Sequence, residues 1–186
     1  QSNKQDGLEK VAANAPVPLS FNQQRLWFLD QLEGSSAAYN IPFVLNIQQA
    51  LDISLVEQAF VGLIERHKVL RQVYNQDNGK LVSHYLQTDA FVLQQSNLTQ
   101  HSAEQAQVVL QQAIENMVAG DFNLSSDYML RAQVVSLAEN NHYLLLCLHH
   151  IAGDAWTINI LIEEFFNLYQ ALLEQRTAEL AEVNWC

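Results

Sequence analysis

The sequence predicts an α/β protein, a two-layer α-β sandwich with a mixed, largely antiparallel sheet. In four segments, apolar residues recur at the three- and four-residue spacing of amphipathic helices, and three of these segments open with a capping box. Apolar runs of strand length lie between them, and two pairs of runs are separated by turns short enough for antiparallel hairpins. Because strands and helices intermingle, we expect the helices to pack on one side of a mixed sheet.

The N-terminal part of the chain predicts a linker followed by a helix. Residues 1–16 show little periodicity and are rich in polar side chains, so we expect a linker or a disordered N-terminus there. Ser20 and Gln23 then match a capping box, and the apolar residues that follow suit one face of a short helix ending near Gly34.

A strand and a second helix are expected next. Residues 39–47 are predicted to form a strand. Pro42 favours an edge position in the sheet or a bulge near the start of this strand, because it has no N–H to donate. Ser54 with Glu57 matches a second capping box, and the helix that it opens should end around His67.

The middle of the chain predicts a hairpin and a third helix. Two alternating runs within residues 69–86 flank Asp77-Asn78-Gly79, a strong signal for a tight turn between antiparallel strands. Ser102 with Gln105 gives a third capping box, for a helix that should end at Gly120.

The C-terminal part predicts a second hairpin that leads into a last helix. Residues 130–137 and 142–150 should pair across a short turn. Residues 143–148 are apolar on both faces, which suits a central strand covered on two sides. The spacing of apolar residues over 157–175 predicts the last helix.

Composition narrows the possible functions. The 186 residues carry nine Lys and Arg against twenty Asp and Glu, a net charge of −11, which repels phosphate backbones and anionic lipid surfaces. Nucleic acid and membranes are therefore poor candidate partners, and no apolar run approaches the roughly 20 residues of a membrane helix. Cys147 lies within an apolar strand and Cys186 is the last residue, so we expect no disulfide framework and a cytoplasmic protein.

Chemistry is expected where the last strand meets the last helix, at His149, His150 and Asp154. An imidazole with an unperturbed pKa of about 6.5 accepts a proton from a nucleophile at neutral pH, and a positioned base adds a rate factor of about 10² to 10⁴. Asp154 either holds an imidazole in one tautomer or braces the loop by pairing with an arginine. No activated-serine motif accompanies the histidines and Cys147 is expected to be buried, so direct transfer between two bound substrates is the simpler scheme.

Two other interpretations of the histidine pair stay open. Histidines that end a strand are commonly half-buried residues with satisfied hydrogen bonds and no chemical role. A metal site would take His142, His149 or His150, and Asp154 as ligands, but strand alternation puts the two adjacent histidines on opposite faces.

Taken together and in order, several segments resemble the motifs of one family. Residues 149–155, HHIAGDA, are similar to an HHxxxDG motif, and residues 121–124, DFNL, to the PFDL-like segment that precedes it. Residues 20–29, SFNQQRLWFL, are similar to SxAQxRLWxL, and residues 66–74, RHKVLRQVY, to RHExLRTxF. These motifs belong to the condensation domains of nonribosomal peptide synthetases, in the chloramphenicol acetyltransferase-like superfamily. The resemblance covers about residues 18–175.

The resemblance implies amide formation. In that family an aminoacyl or peptidyl donor and an aminoacyl acceptor are carried as thioesters on the phosphopantetheine arms of carrier proteins, and the acceptor amine attacks the donor. The implied partners are peptidyl carrier protein domains, a neighbouring adenylation domain and the second lobe of the same domain. No cofactor is implied to bind this chain directly.

The resemblance also implies a role for each site residue. His150, the second histidine of its motif, would be the general base or the group that positions the amine and the tetrahedral intermediate. His149 and Asp154 would be structural, Asp154 by pairing with an arginine, for which Arg66 and Arg71 are the nearby candidates.

Two residues and the length depart from the family pattern. The motif's glycine is Ala155 here, and alanine reaches positive φ only at a cost, so we expect a stiffer or displaced loop. Lys68 replaces an acidic residue and reverses a charge near Arg66. The family's domains pair two similar lobes around a tunnel. Residues 17–176 match the first lobe, so we expect residues 177–186 to be a tail at a truncation point and the isolated lobe to be inactive.

Two other functions stay open beside amide formation. One is an acyltransferase of the same fold that uses a soluble thioester such as acyl-coenzyme A, although the first motif, which contains Trp27, favours the synthetase branch. The other is a non-catalytic module that docks carrier proteins through its acidic surface. The departure at Ala155 is the main support for this last interpretation.

Overall fold

The computed structural model describes residues 17–34 and 37–181. The expected linker at residues 1–16 and the end of the tail at residues 182–186 lie outside the described residues. The helices are α1 (Phe21–Glu33), α2 (Ile53–Arg66), α3 (Ala103–Ala119) and α4 (Ala155–Leu173). The strands are β1 (Asn40–Ile47), β2 (Gln72–Asp77), β3 (Lys80–Tyr85), β4 (Gln94–Asn97), β5 (Leu130–Ala138) and β6 (Asn141–His149).

The main sheet has the strand order β1-β6-β5-β4. The β1–β6 and β5–β6 pairs are antiparallel and the β4–β5 pair is parallel, which confirms a mixed, largely antiparallel sheet. Strand β6 is central, as its two apolar faces predict, and β1 with Pro42 lies at the edge. Strands β2 and β3 form a separate hairpin. In the register of the β1–β6 pair, Asn40 lies opposite His149 at the end of β6.

The core fixes the position of α4 relative to β6. Residues 144–149 of β6 are buried, and α3 packs on β1, β5 and β6. Helix α2 packs along α4, where the rings of Phe60 and Phe165 stack with their centroids 4.7 Å apart. None of the described helices is both long and apolar enough to cross a bilayer.

Local chemistry accounts for most element boundaries. The capping boxes at Ser20 and Ser102 are present as predicted, each with its partner glutamine. Asn78 and Gly79 take φ values of 50° and 78°, the left-handed pair that a two-residue hairpin turn requires. Gly34 ends α1 with a φ of 70°.

The predicted capping box of Ser54 with Glu57 is wrong. Helix α2 begins at Ile53, one residue before Ser54, and Asp52 is its N-cap. The Asp52 carboxylate accepts the backbone N–H groups of Ser54 at 3.0 Å and Leu55 at 3.2 Å. Glu57 instead accepts the backbone N–H of Leu93 at 3.3 Å. An aspartate at the N-cap therefore prevails over the serine two residues later.

Replacing the cap of α2 tests this correction. Because the Asp52 side chain satisfies two N–H groups of the first turn, Asp52→Ala should lower the free energy of unfolding of the chain by about 1 kcal/mol. Ser54→Ala should change it little, since Ser54 lies inside the helix. Chemical denaturation monitored by circular dichroism measures both, and an equal loss in the two variants would contradict the assignment.

Candidate active site

His150 lies immediately after the end of the central strand, where its side chain leaves the core. Its backbone N–H donates to the carbonyl of Tyr39 at 2.9 Å, which ties the end of β6 to the residue that precedes β1. Its imidazole is exposed, and Nδ1 lies 2.8 Å from the carbonyl oxygen of Gly153. A carbonyl only accepts, so Nδ1 carries the proton and the lone pair belongs to Nε2. In the neutral ring, the loop therefore presents Nε2 as the acceptor nitrogen.

The loop from His150 to Asp154 is held at the start of α4. Asp154 is the N-cap of the helix: its carboxylate accepts the backbone N–H of Thr157 at 3.0 Å and the Thr157 hydroxyl at 3.1 Å. A Cβ added to Gly153 would lie 2.6 Å from Oγ1 of Thr157, so this close approach requires glycine. The carbonyl that orients His150 is therefore positioned by the helix cap.

His149 has the opposite environment. It is fully buried, its Nδ1 accepts the backbone N–H of Ile151 at 3.1 Å, and its ring meets the Phe122 ring at 5.4 Å. Burial, followed by the charges of His150 and Arg131, lowers the pKa of His149 to about 4. His149 is therefore a neutral core residue at neutral pH, and the two histidines differ as strand alternation predicts.

The expected pairing of Asp154 with an arginine is wrong for the residues that the structure describes. Its carboxylate is used by the helix cap, and the hydrogen bonds from Thr157 lower its pKa. Arg66 pairs with Glu164, with Nε and Oε2 3.1 Å apart. Arg71 donates to the carbonyl of Leu86 at 2.7 Å. The sequence shows that Asp154 is charged, but it does not show that the carboxylate caps its own helix instead of pairing with a distant arginine.

Glu164, which pairs with the cleft residue Arg66, is a supporting residue that the sequence analysis missed. Its Oε2 contacts both Arg66 and the buried His67, whose Nε2 lies 2.5 Å away, and so joins the end of α2 to the middle of α4. The sequence did contain a signal, because Glu164 lies seven residues after Thr157 and three after Leu161, on the apolar face of the helix. A carboxylate on a buried face requires a partner.

Helix α1 packs over this region although none of its residues is fully buried. Nε2 of Gln23 donates to the Tyr74 hydroxyl at 3.1 Å and to Oε1 of Gln72 at 3.4 Å, while its Oε1 accepts the N–H of Ser20. The glutamine of the first motif thus closes the capping box and also ties α1 to β2. This second contact spans about fifty residues of chain, so local patterns did not reveal it.

A cleft of about 980 Å³ lies between α1 and the His150 loop. It is lined by His150, Ala152, Gly153, Asp154 and Thr157 on one side and by residues of α1 on the other, with Tyr39, Arg66, Lys68 and Tyr85 around them. An imidazole with a free Nε2 that faces a cleft of this size can accept a proton from a bound nucleophile.

Ala155 lies at a position that places no strain on an alanine backbone. Ala155 is the first residue of α4, and among the described residues only Asn78 and Gln175 have positive φ without being glycine. The expected cost of alanine therefore does not arise, because the position needs ordinary helical angles.

The described residues contain no group of three or more His, Cys, Asp and Glu placed to hold a metal ion. His142, a ligand candidate from the sequence, has its Nδ1 2.8 Å from the Ser136 hydroxyl and its Nε2 3.0 Å from the carbonyl of Glu139. Both of its ring nitrogens are therefore in use within the β5–β6 turn.

Comparisons with known proteins agree with one another. The family model described as "Condensation domain" matches residues 14–185. A linear gramicidin synthase protein of Brevibacillus parabrevis is 35% identical over 176 residues, which is 95% of this chain and 4% of that protein. The dimodular nonribosomal peptide synthase of Bacillus subtilis (strain 168) is 32% identical over 174 residues, 94% of this chain and 7% of that protein.

Solved structures share the fold. The starter condensation domain of rhizomide synthetase RzmA superimposes with a TM-score of 0.81 at 20% identity, covering 90% of this chain and 40% of that one. The first condensation domain of the CDA synthetase gives a TM-score of 0.78 at 19% identity, covering 91% of this chain and 42% of that one. The chain therefore spans a small fraction of its curated relatives and less than half of these solved chains.

The close approach of Gly153 to Thr157 gives a test by substitution. Gly153→Ala should lower the free energy of unfolding by about 1 to 3 kcal/mol, because the new methyl group overlaps the Thr157 side chain. Gly62→Ala is the matched control, since a Cβ there would lie 3.5 Å from Leu168 in ordinary contact and should stabilise α2 by up to about 1 kcal/mol. Equal effects in urea titrations would contradict this packing.

The buried imidazole of His149 predicts a pH dependence of stability. Its pKa is about 4 in the fold and about 6.5 in an unfolded chain, so the unfolded state binds more protons between these values. The free energy of unfolding should therefore fall by about 3 kcal/mol as the pH drops from 6.5 to 4. His149→Asn should flatten this slope and the exposed His84→Asn should keep it. Urea titrations across this pH range test both, and a slope unchanged in His149→Asn would refute the assignment.

Proposed function

This chain belongs to the condensation-domain family, and from that starting point we propose that it is the first lobe of a condensation domain that forms amide bonds. The donor is an aminoacyl or peptidyl thioester and the acceptor is an aminoacyl thioester, both carried on the phosphopantetheine arms of carrier protein domains. The observation that supports this most directly is the His150 imidazole, whose Nδ1 is occupied by Gly153 and whose Nε2 is free beside the cleft.

The reaction needs one base at one position. The acceptor amine attacks the thioester carbonyl, the C–N bond forms, and Nε2 of His150 accepts the proton that the amine loses. Collapse of the tetrahedral intermediate breaks the C–S bond, and the proton returns from the imidazole to the departing thiolate. The hydrogen bond from Nδ1 to the Gly153 carbonyl stabilises the imidazolium between these two transfers.

Other reactive groups near His150 are unsuited to the chemistry. His149 is buried with a pKa of about 4, and burial raises the pKa of the Cys147 thiol to about 11. A thiol in that state is a poor nucleophile, which favours direct transfer over a covalent enzyme intermediate. Asp154 supports the loop through the α4 cap, and Arg66 supports α4 through Glu164.

The remaining partners follow from the same proposal. Residues 17–176 would form the lobe, and a second lobe would close the open side of the cleft. The match to about 40% of solved condensation-domain chains supports this arrangement. Peptidyl carrier protein domains would deliver both substrates and an adenylation domain would load them, as expected for relatives that are peptide synthetases. The isolated lobe should be inactive because half of the cleft is missing.

A second candidate function uses coenzyme A thioesters as donors. A mutant starter condensation domain of rhizomide synthetase has been solved in complex with C8-CoA and Leu-SNAC, so this fold accommodates such a donor. Transfer from octanoyl-coenzyme A but not from carrier-bound aminoacyl groups would favour this candidate. The non-catalytic interpretation loses its main support, because Ala155 fits the start of α4 without strain.

Substitution of His150 in the complete parent protein tests the proposal. His150→Ala should lower the rate of dipeptide formation between loaded carrier proteins by about 10² to 10⁴, because the base is removed. His84→Ala, on the exposed face of the β2–β3 hairpin, is the matched control and should keep the wild-type rate. Single-turnover assays with product detection by mass spectrometry measure both.

Two outcomes would end the proposal. One is a His150→Ala rate within a factor of about two of wild type. The other is a folded wild-type protein that binds loaded carrier proteins but makes no amide with any aminoacyl pair, which is the result that a docking module would give.

A further inference from the structure

The cleft beside His150 is positively charged although the chain as a whole is acidic. Three of the nine Lys and Arg side chains line it, Arg25, Arg66 and Lys68, against a net charge of −11 for the whole chain. Among the described residues that line it, the only carboxylate is that of Asp154, whose oxygen accepts two hydrogen bonds from Thr157. The cleft therefore attracts anions in a protein whose overall charge repels them.

A second cleft of about 460 Å³ lies along the C-terminal half of α1 and has the opposite character. Its described lining includes Asp30 and Asp121 and no Lys or Arg. Of these two clefts, positive charge is therefore confined to the one that contains His150, within the part of the chain that the structure describes.

In the turn that follows α2, Lys68, which lines the His150 cleft, and Arg71 both approach one aromatic ring. Nζ of Lys68 lies 5.9 Å from the centroid of the Tyr85 ring, and the guanidinium of Arg71 lies 5.2 Å from the same centroid. Arg66 is neutralised by Glu164, but Lys68 and Arg71 form no ion pair within the described residues. Two uncompensated charges therefore share one aromatic ring that lines the cleft.

This pair and the imidazole border the same cleft, since Lys68, Tyr85 and His150 all line it. A substrate that reacts at His150 can therefore also contact Lys68 through an anionic group elsewhere on the molecule.

We propose that Lys68 and Arg71, which both lie against the Tyr85 ring, form a subsite for an anionic oxygen group of the substrate that is separate from its reacting atoms. The proposal rests on the proposed function, in which the reacting group is the end of a long thioester. A phosphodiester on the carrier arm and a carboxylate on the acyl chain share the chemistry that Lys and Arg recognise. The subsite binds and aligns the substrate and takes no part in proton transfer.

Charge reversal at Lys68 in the complete parent protein tests the subsite. Lys68→Glu should raise the KM for an anionic substrate by about five- to tenfold with kcat unchanged, because it replaces an attraction by a repulsion. Lys80→Glu is the matched control: the same change at the exposed first residue of β3 should leave KM unchanged. Added salt should shrink the Lys68→Glu effect.

Four soluble aminoacyl thioesters distinguish the source of the anion. They are built on phosphopantetheine or on pantetheine without the phosphate, each with or without a side-chain carboxylate. If Lys68→Glu raises KM only for thioesters with the phosphate, the subsite binds the phosphopantetheine arm. If it raises KM only for thioesters with the side-chain carboxylate, the subsite binds the acyl chain. Equal KM values for Lys68→Glu and Lys80→Glu on all four thioesters would overturn the subsite while leaving amide formation intact.

Direct binding separates this proposal from the proposed function. If the wild-type parent forms no amide, calorimetric titration with phosphopantetheine and with aspartyl-pantetheine still measures the subsite. Weaker binding of either probe by Lys68→Glu than by Lys80→Glu supports it, and indistinguishable dissociation constants for both probes refute it.

Discussion

The hydrogen bond between Nδ1 of His150 and the carbonyl of Gly153 is the constraint on which the site depends. It sets the tautomer, and the position of the carbonyl follows from the close approach of Gly153 to Thr157 inside the α4 cap. The cap stays in place because α4 packs on α2, where Phe60 stacks on Phe165 and Glu164 joins both helices. A side chain at the surface is thus oriented by contacts that reach into the core.

Elements that depend on residues close in sequence were predicted, and elements that depend on contacts between distant segments were not. The capping boxes at Ser20 and Ser102, the hairpin turn and the central strand depend on neighbouring residues, and they appear as expected. Strand β4 was missed because its residues, QQSN, are polar and are held by parallel pairing with β5. The Ser54 box failed because Asp52 caps the same helix. His150 was found through its place after a buried strand, whereas the contact of Glu164 with α2 needed the fold.

The two adjacent histidines at the end of β6 have different environments, one buried and one exposed. His149 is the last residue of β6 and is buried in the core. Burial lowers its pKa, so its imidazole stays neutral at neutral pH. His150 follows the last strand residue, so its ring is exposed and the loop alone decides which nitrogen is free. His150 and the cationic Lys68 line the same cleft.

The tautomer of His150 is the most direct test of this account. In the complete parent protein with ¹⁵N-labelled histidine, the His150 signals can be assigned by their loss in a His150 variant and followed above the titration range. The account requires a protonated Nδ1 and a pyridine-like, unprotonated Nε2. A pyridine-like Nδ1 would show that the Gly153 carbonyl does not hold the ring, and would contradict the assignment of Nε2 as the base.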